Sequence, residues 1–194
     1  LKNGNVILSG GSCRKYHYSL LAGHIPFYNE KHISLNTNLL KGLNREVFNN
    51  LIYRFHNQIG YNEKERILNE FPKIKISLRE DVTHYYDLLY KSRLIISTSD
   101  YTANLQPLTI NHPVIWLWDP KYFNLRDSAK KYYDLMHEAG ILFYSSDLCA
   151  KHVNNIFHNP MDWWMSSKVQ NAKNIFAQNF CNVSSNISQE MSII

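Results

Sequence analysis

No apolar run in this 194-residue chain approaches the roughly 20 residues that a helix needs to cross a bilayer. The longest, from Pro113 to Trp118, is the size of a strand. Blocks of like charge are also missing. The net charge of +5 therefore describes scattered residues and a mildly basic surface, and no basic, aromatic stripe suited to nucleic acid emerges. Cysteine is scarce. Cys13, Cys149 and Cys181 form no CxxC pair and leave an odd count, which excludes a disulfide framework and fits a reducing compartment. The nine histidines fall in no HExxH or Cys/His cluster, and no acidic DxD signature is present, so a bound metal is not expected. Neither GxGxxG nor a Walker loop occurs, and no Ser-His-Asp set or close carboxylate pair can be argued from spacing.

What is present is a globular composition, 44% hydrophobic and 19% charged, with an apolar period that switches repeatedly between two and about 3.6 residues. Strands are expected at Val6 to Leu8, Leu51 to Phe55, Ile74 and Ile76, Leu94 to Ile96, Val114 to Trp118, and Ile141 to Tyr144. Helices are expected from Asn36 through Leu39, Leu40, Leu43, Val47 and Phe48; after a capping Asn62; around Tyr85, Tyr86 and Leu89; from Thr102 to Ile110; around Ala129 to Met136, ending at Gly140; after Ser145; and from Val169 to Phe180. Six alternations predict an α/β domain, a Rossmann-like, mostly parallel sheet with helices on both faces. The expected domain runs from 1 to 181, with carboxyl-terminal helices at about 147–180, and a flexible tail follows at 182–194. The start at Leu1 suggests a piece of a longer polypeptide.

Ligands of such sheets bind beyond the carboxyl ends of the strands, so the loops there hold the candidates. Gly10-Gly11-Ser12, after the first strand, lets backbone N–H groups approach an anion, or simply turns the chain. Arg54, ending the second strand, can pair with a phosphate or face solvent. Thr98 and Thr102 flank a helix start that suits phosphate or a plain cap, and Gln106 lies one turn on. Trp118 and Tyr122 can shape an apolar shelf around Asp119, whereas Trp116 reads as core. Arg126 and Asp127 open the next helix, where Asp also complements the helix dipole.

In order along the chain, further segments strengthen the pattern: Tyr16 and Tyr18, Gly60-Tyr61, Lys64-Glu65-Arg66, Phe71-Pro72, Lys91-Ser92-Arg93-Leu94, Trp118 to Tyr122, Leu125 to Lys130 with Tyr133, Gly140-Ile141, Ala150 to Val153, and Trp163-Trp164. From about Ser9 to Ile187 the chain resembles a family of bacterial transferases from lipopolysaccharide (O-antigen) and other surface-polysaccharide loci. Their carboxyl-terminal half looks like the donor-binding domain of a GT-B glycosyltransferase. The resemblance implies transfer of a sugar or related group from a nucleotide-sugar donor to a glycan or lipid-linked acceptor, with no cofactor. It implies a cytoplasmic protein associated peripherally with the inner face of the membrane. Donor-binding positions would be Gly10, Gly11, Ser12, Arg54, Thr98, Thr102, Gln106, Trp118, Asp119, Tyr122, Arg126 and Asp127. No catalytic base is assigned. In many inverting GT-B enzymes it comes from an amino-terminal acceptor domain, which this sequence lacks, so the chain is expected to bind donor without turnover. Where the family has Gly-Thr, Thr-Thr and an acid on the helix, this chain has Ser97-Thr98, Thr102-Ala103 and Gln106; Asp119 stands in place of Asn. A non-catalytic scaffold or interaction module and a polyol-phosphate transferase fit the same residues.

Overall fold

The computed structural model describes residues 4–10, 26–55, 62–78, 85–98, 104–121 and 125–181. Gly11, Ser12, Thr102, Tyr122 and the expected tail at 182–194 lie outside the described residues. The elements run β1 (Asn5–Ser9), α1 (Pro26–Gly42), α2 (Arg45–Asn49), β2 (Leu51–Phe55), α3 (Glu63–Glu70), β3 (Lys75–Leu78), α4 (Tyr85–Lys91), β4 (Ser92–Ser97), α5 (Leu105–Thr109), β5 (Val114–Leu117), α6 (Asp127–Glu138), β6 (Leu142–Phe143), α7 (Ser146–Ile156), α8 (Pro160–Trp164) and α9 (Ser167–Phe180).

All six expected strands form, and they make one sheet in the order β3-β2-β1-β4-β5-β6 with every described pairing parallel. Val, Ile and Leu fill the central strands because helices cover both faces and leave no solvent side. Val6, Leu8, Tyr53, Leu94 and Ile96 turn to one core, shared with Leu39, Leu40 and Leu43 of α1, Ile67 of α3, and Cys149 and Val153 of α7. The intervening Ile7 and Ile95 turn to the other, with Leu89 of α4, Leu108 of α5, Met136 of α6 and Phe176 of α9. Full burial pushes the Cys149 thiol pKa well up, so it behaves as a small hydrophobe.

Several boundaries differ from expectation. The helix expected from Asn36 through Phe48 is two helices, and the first begins ten residues earlier, at Pro26. The chain breaks at Leu43, where Asn44 caps α2 by accepting the Val47 N–H at 2.8 Å. Asn62 precedes α3 as expected but adopts φ 49° and makes no capping bond. α8, opened by Pro160, was not anticipated; proline pre-sets the dihedral of a first helical residue. Gly140 ends α6 at φ +75°, and Ser145 caps α7 through the Leu148 N–H, both as expected.

Two polar anchors lie at the amino-terminal edge of the sheet. Ser92 Oγ donates to the Leu89 carbonyl at 2.8 Å, so the His112 Nε2–H donates to Ser92 Oγ at 2.9 Å. Burial holds the His112 pKa down at about 4, against 6.5 for the free side chain. The unfolded chain therefore binds a proton that the folded chain refuses, and stability falls as pH drops from 6.5 toward 4. His152, also lowered by burial, adds in the same direction. At pH 5 the His112 contribution is about 2 kcal/mol. Urea unfolding at pH 7 and pH 5 is expected to show this loss in the wild type and a correspondingly smaller one in His112→Gln; equal losses would contradict it. The second anchor is Asn111, in the turn before β5.

Candidate functional site

In the order 3-2-1-4-5-6, β1 and β4 are neighbours that feed opposite faces. After β1 the chain returns through α1 on one face, and after β4 it returns through α5 on the other. Ligands of such sheets bind beyond the carboxyl ends of the strands, where the two connections part. Buried polar residues gather here. In register across the sheet edge stand Ser77 (β3), Arg54 (β2), Ser9 (β1) and Ser97 (β4), all buried. Ser97 Oγ donates to Asn104 Oδ1 at the start of α5. One residue further on lie Gly10 and Thr98, buried on the α1 side.

The edge is tied together by the main chain. Thr98 N–H donates to Ser9 O at 3.1 Å, and Gly10 N–H donates to Arg54 O at 3.2 Å. Gly10 sits directly on the Tyr53 ring. A Cβ at position 10 would lie 2.9 Å from Tyr53 Cε2 and 3.1 Å from its hydroxyl, so only glycine fits there. The Tyr53 hydroxyl donates to Glu63 at 2.5 Å and accepts from Asn36 at 2.6 Å. Burial first, and then the Glu63 carboxylate, raise its pKa well above the usual phenol range, so it remains a neutral strut beneath this edge of the sheet.

Helix α1 supplies a polar stripe toward this edge. Asn29, His32 and Asn36 are buried at i, i+3 and i+7, the spacing of a single helix face. His32 Nε2 lies 2.9 Å from the Thr98 carbonyl oxygen and 3.1 Å from Thr98 Oγ1. A carbonyl only accepts, so Nε2 carries the proton. Tyr28 stacks on the imidazole at 5.9 Å. Asn29, 2% exposed, has neither its carboxamide oxygen nor its nitrogen hydrogen-bonded, and Asn36 Oδ1 is unpaired as well. An unsatisfied buried polar group costs about 1–3 kcal/mol.

Of the candidates read from the sequence, Gly10, Thr98 and Arg54 meet at the carboxyl edge of β1, β4 and β2. Arg54, however, turns its guanidinium toward β3, donating through Nη1 to Ser77 Oγ at 2.8 Å and to the Leu78 carbonyl at 3.3 Å. Gln106 is half-buried and donates to the Tyr86 hydroxyl of α4 at 3.0 Å. Trp118, 4% exposed, lies in the core with Trp116 and Tyr133, ring centroids 6.0 and 5.3 Å away, and presents almost no surface to a ligand. Asp119 closes a turn by accepting the Lys121 N–H at 2.9 Å. Arg126 and Asp127 are exposed at the start of α6; Asp127 pairs with Lys130 at 2.7 Å, and that hydrogen bond lowers its pKa. No three His, Cys, Asp or Glu side chains among the described residues are placed to hold a metal ion.

Sequence reasoning missed Asn29 and His32. A proline at a helix start followed by polar residues at one-face spacing was the available signal.

A six-stranded parallel sheet of this order, with helices on both faces and buried polar residues at its switch point, defines a Rossmann-type α/β domain. The chain belongs to the LIC12162 transferase family, whose sequence model matches residues 1–193. No curated protein matches it. Among the described residues, no helix is long and apolar enough to cross a membrane.

Proposed function

We propose that this transferase moves a sugar, or a related group, from a nucleotide-activated donor onto a surface polysaccharide or lipopolysaccharide glycan, and that this chain is the donor-binding, GT-B-like half. The observation that carries the reading is the concentration of buried polar residues around Gly10 and Thr98, where β1 and β4 part. In this reading the donor phosphates lie near Gly10, Gly11 and Ser12 and near residues 98–102. Arg54 and Arg126 offset charge on the departing nucleotide, an electrostatic contribution that moves no proton. Thr102 and Gln106 touch the nucleotide, while Asp119, Tyr122 and Asp127 shape the far wall. The acceptor is a glycan or lipid-linked glycan presented at the inner face of the cytoplasmic membrane, bound by a domain outside this chain.

A second reading has a specific observation in its favour. Gln106, where the resembled family carries an acid, is engaged with Tyr86, as suits a non-catalytic module. A thermal-shift screen separates the two. With UDP, GDP, dTDP, CMP and their sugar conjugates at a hundredfold excess over Kd, a true ligand adds about 2.7 kcal/mol, roughly 5–11 °C in Tm for a chain of this size. A shift with one nucleotide class, reduced in Arg126→Ala, supports the donor domain. No shift with any of them at millimolar concentration supports the module.

A further inference from the structure

We infer that Asn29 binds the neutral, hydroxyl-bearing part of the donor, the glycosyl group to be transferred; the inference rests on the donor-binding reading above. Asn29 lies on the first turn of α1, one turn before His32, whose ring is bonded to Thr98 at the end of β4. It therefore stands toward the carboxyl edge of the sheet, close to the end of β4. Its carboxamide is covered from water, yet both polar atoms lack a partner. Buried polar groups in folded proteins are satisfied almost without exception, and the exceptions concentrate where a ligand completes them.

The chemistry of the group selects the ligand. A carboxamide offers two N–H donors and one oxygen acceptor and bears no charge. It matches sugar hydroxyls, each of which donates and accepts, better than a phosphate, which only accepts and would face the oxygen. Because the amide is covered in the ligand-free chain, contact requires a local rearrangement at the start of α1. The hydrogen bonds gained there offset its cost.

This assignment makes an unusual demand on stability. Leucine has the branching of asparagine without its polar atoms. Asn29→Leu is therefore expected to keep or raise the Tm of the ligand-free protein by a few degrees, because an unsatisfied amide leaves the interior. The same substitution is expected to weaken the sugar conjugate at least tenfold while leaving the bare nucleotide within twofold. The test is calorimetric titration of wild type, Asn29→Leu and Asn29→Ala with UDP and UDP-glucose, GDP and GDP-mannose, dTDP and dTDP-glucose, and CMP and CMP-sialic acid, alongside melting curves. Selective loss of the conjugate in both variants supports the inference. Unchanged conjugate affinity overturns it. An equal loss for the bare nucleotide overturns the assignment to the sugar, and a Tm lowered by many degrees in Asn29→Leu shows that the amide serves the fold instead. If no probe binds the wild type, the functional reading itself fails, an outcome distinct from all of these.

Discussion

Gly10→Ala is expected to lower stability by about 1–3 kcal/mol, the usual cost of overpacking, and to abolish nucleotide-dependent stabilisation. The added methyl group would meet the Tyr53 ring at 2.9 Å. That ring has no room to retreat. It is fully buried, stacked on Phe55 at 4.3 Å, and its hydroxyl is held by Asn36 and Glu63. The strain must then go into the backbone at Gly10, whose N–H is bonded to Arg54 O, and so into the carboxyl edge of the sheet. Thermal melts with and without donor nucleotide measure both effects. A double-mutant cycle isolates the cause: Gly10→Ala added to Tyr53→Leu is expected to cost much less than Gly10→Ala alone, because the obstacle is gone. Additive losses would show that the clash is not the reason.

The second large effect lies at the opposite edge of the sheet. Asn111→Ala is expected to cost about 2–5 kcal/mol, from a left-handed backbone and from a buried ammonium left without its acceptor together. Asn111 has φ 53°. Its side-chain oxygen accepts from Trp164 Nε1 at 3.0 Å, Gln170 Nε2 at 3.2 Å and Lys173 Nζ at 3.3 Å. Lys173 is buried to 9% exposure on α9, so losing this acceptor strands its charge, whereas the Trp164 indole keeps the Asn111 carbonyl at 3.0 Å and the Gln170 amide keeps the Trp164 carbonyl at 2.8 Å. The variants should rank by mechanism. Asn111→Asp keeps the acceptor and tolerates the backbone, and should stay near wild type. Asn111→Gly recovers only the backbone and should fall between Asp and Ala. Urea unfolding gives the ranking, and an alanine variant as stable as the aspartate variant would contradict the account. This network pins α8 and α9 to the turn before β5 and touches no residue of the carboxyl edge, so donor binding should survive in every folded variant.

The legibility of this fold in its sequence follows from which positions had to be apolar. Val6 to Leu8, Leu94 to Ile96 and Val114 to Trp118 are buried on both sides, and their short apolar runs mark strands without ambiguity. Leu51, Tyr53 and Phe55 alternate because the residues between them, Ile52 and Arg54, face the other layer. The strand order was not legible, since parallel pairing is decided by crossovers that leave no local pattern. The first ten residues of α1 were not legible either. There the buried residues are Tyr28, Asn29, His32 and Ile33, and polar side chains at half of the inward positions leave no clean apolar period. The sequence thus hid its helix at the point where the fold departs from an ordinary core. The loop-after-strand rule picked out Gly10, Arg54 and Thr98, which meet at one edge of the sheet. It could not tell that Trp118, one residue past β5, is swallowed by the stack of Trp116, Tyr133 and Phe176, because a tryptophan after a strand has the same appearance as shelf or as core. Nor could it foresee that Arg54 reaches sideways to Ser77, which depends on the pairing of β2 with β3.

The donor is expected to bind at the switch point between β1 and β4. Amide-resolved NMR of the labelled chain, titrated with the nucleotide-sugar that stabilises it most, tests this directly. The amides of Ser9, Gly10 and Thr98 and of the first turns of α1 are expected to shift and saturate together, while those of Asn111 and α9 stay still. Saturable shifts confined to α6, α8 or α9, with Gly10 and Thr98 unmoved, would contradict it.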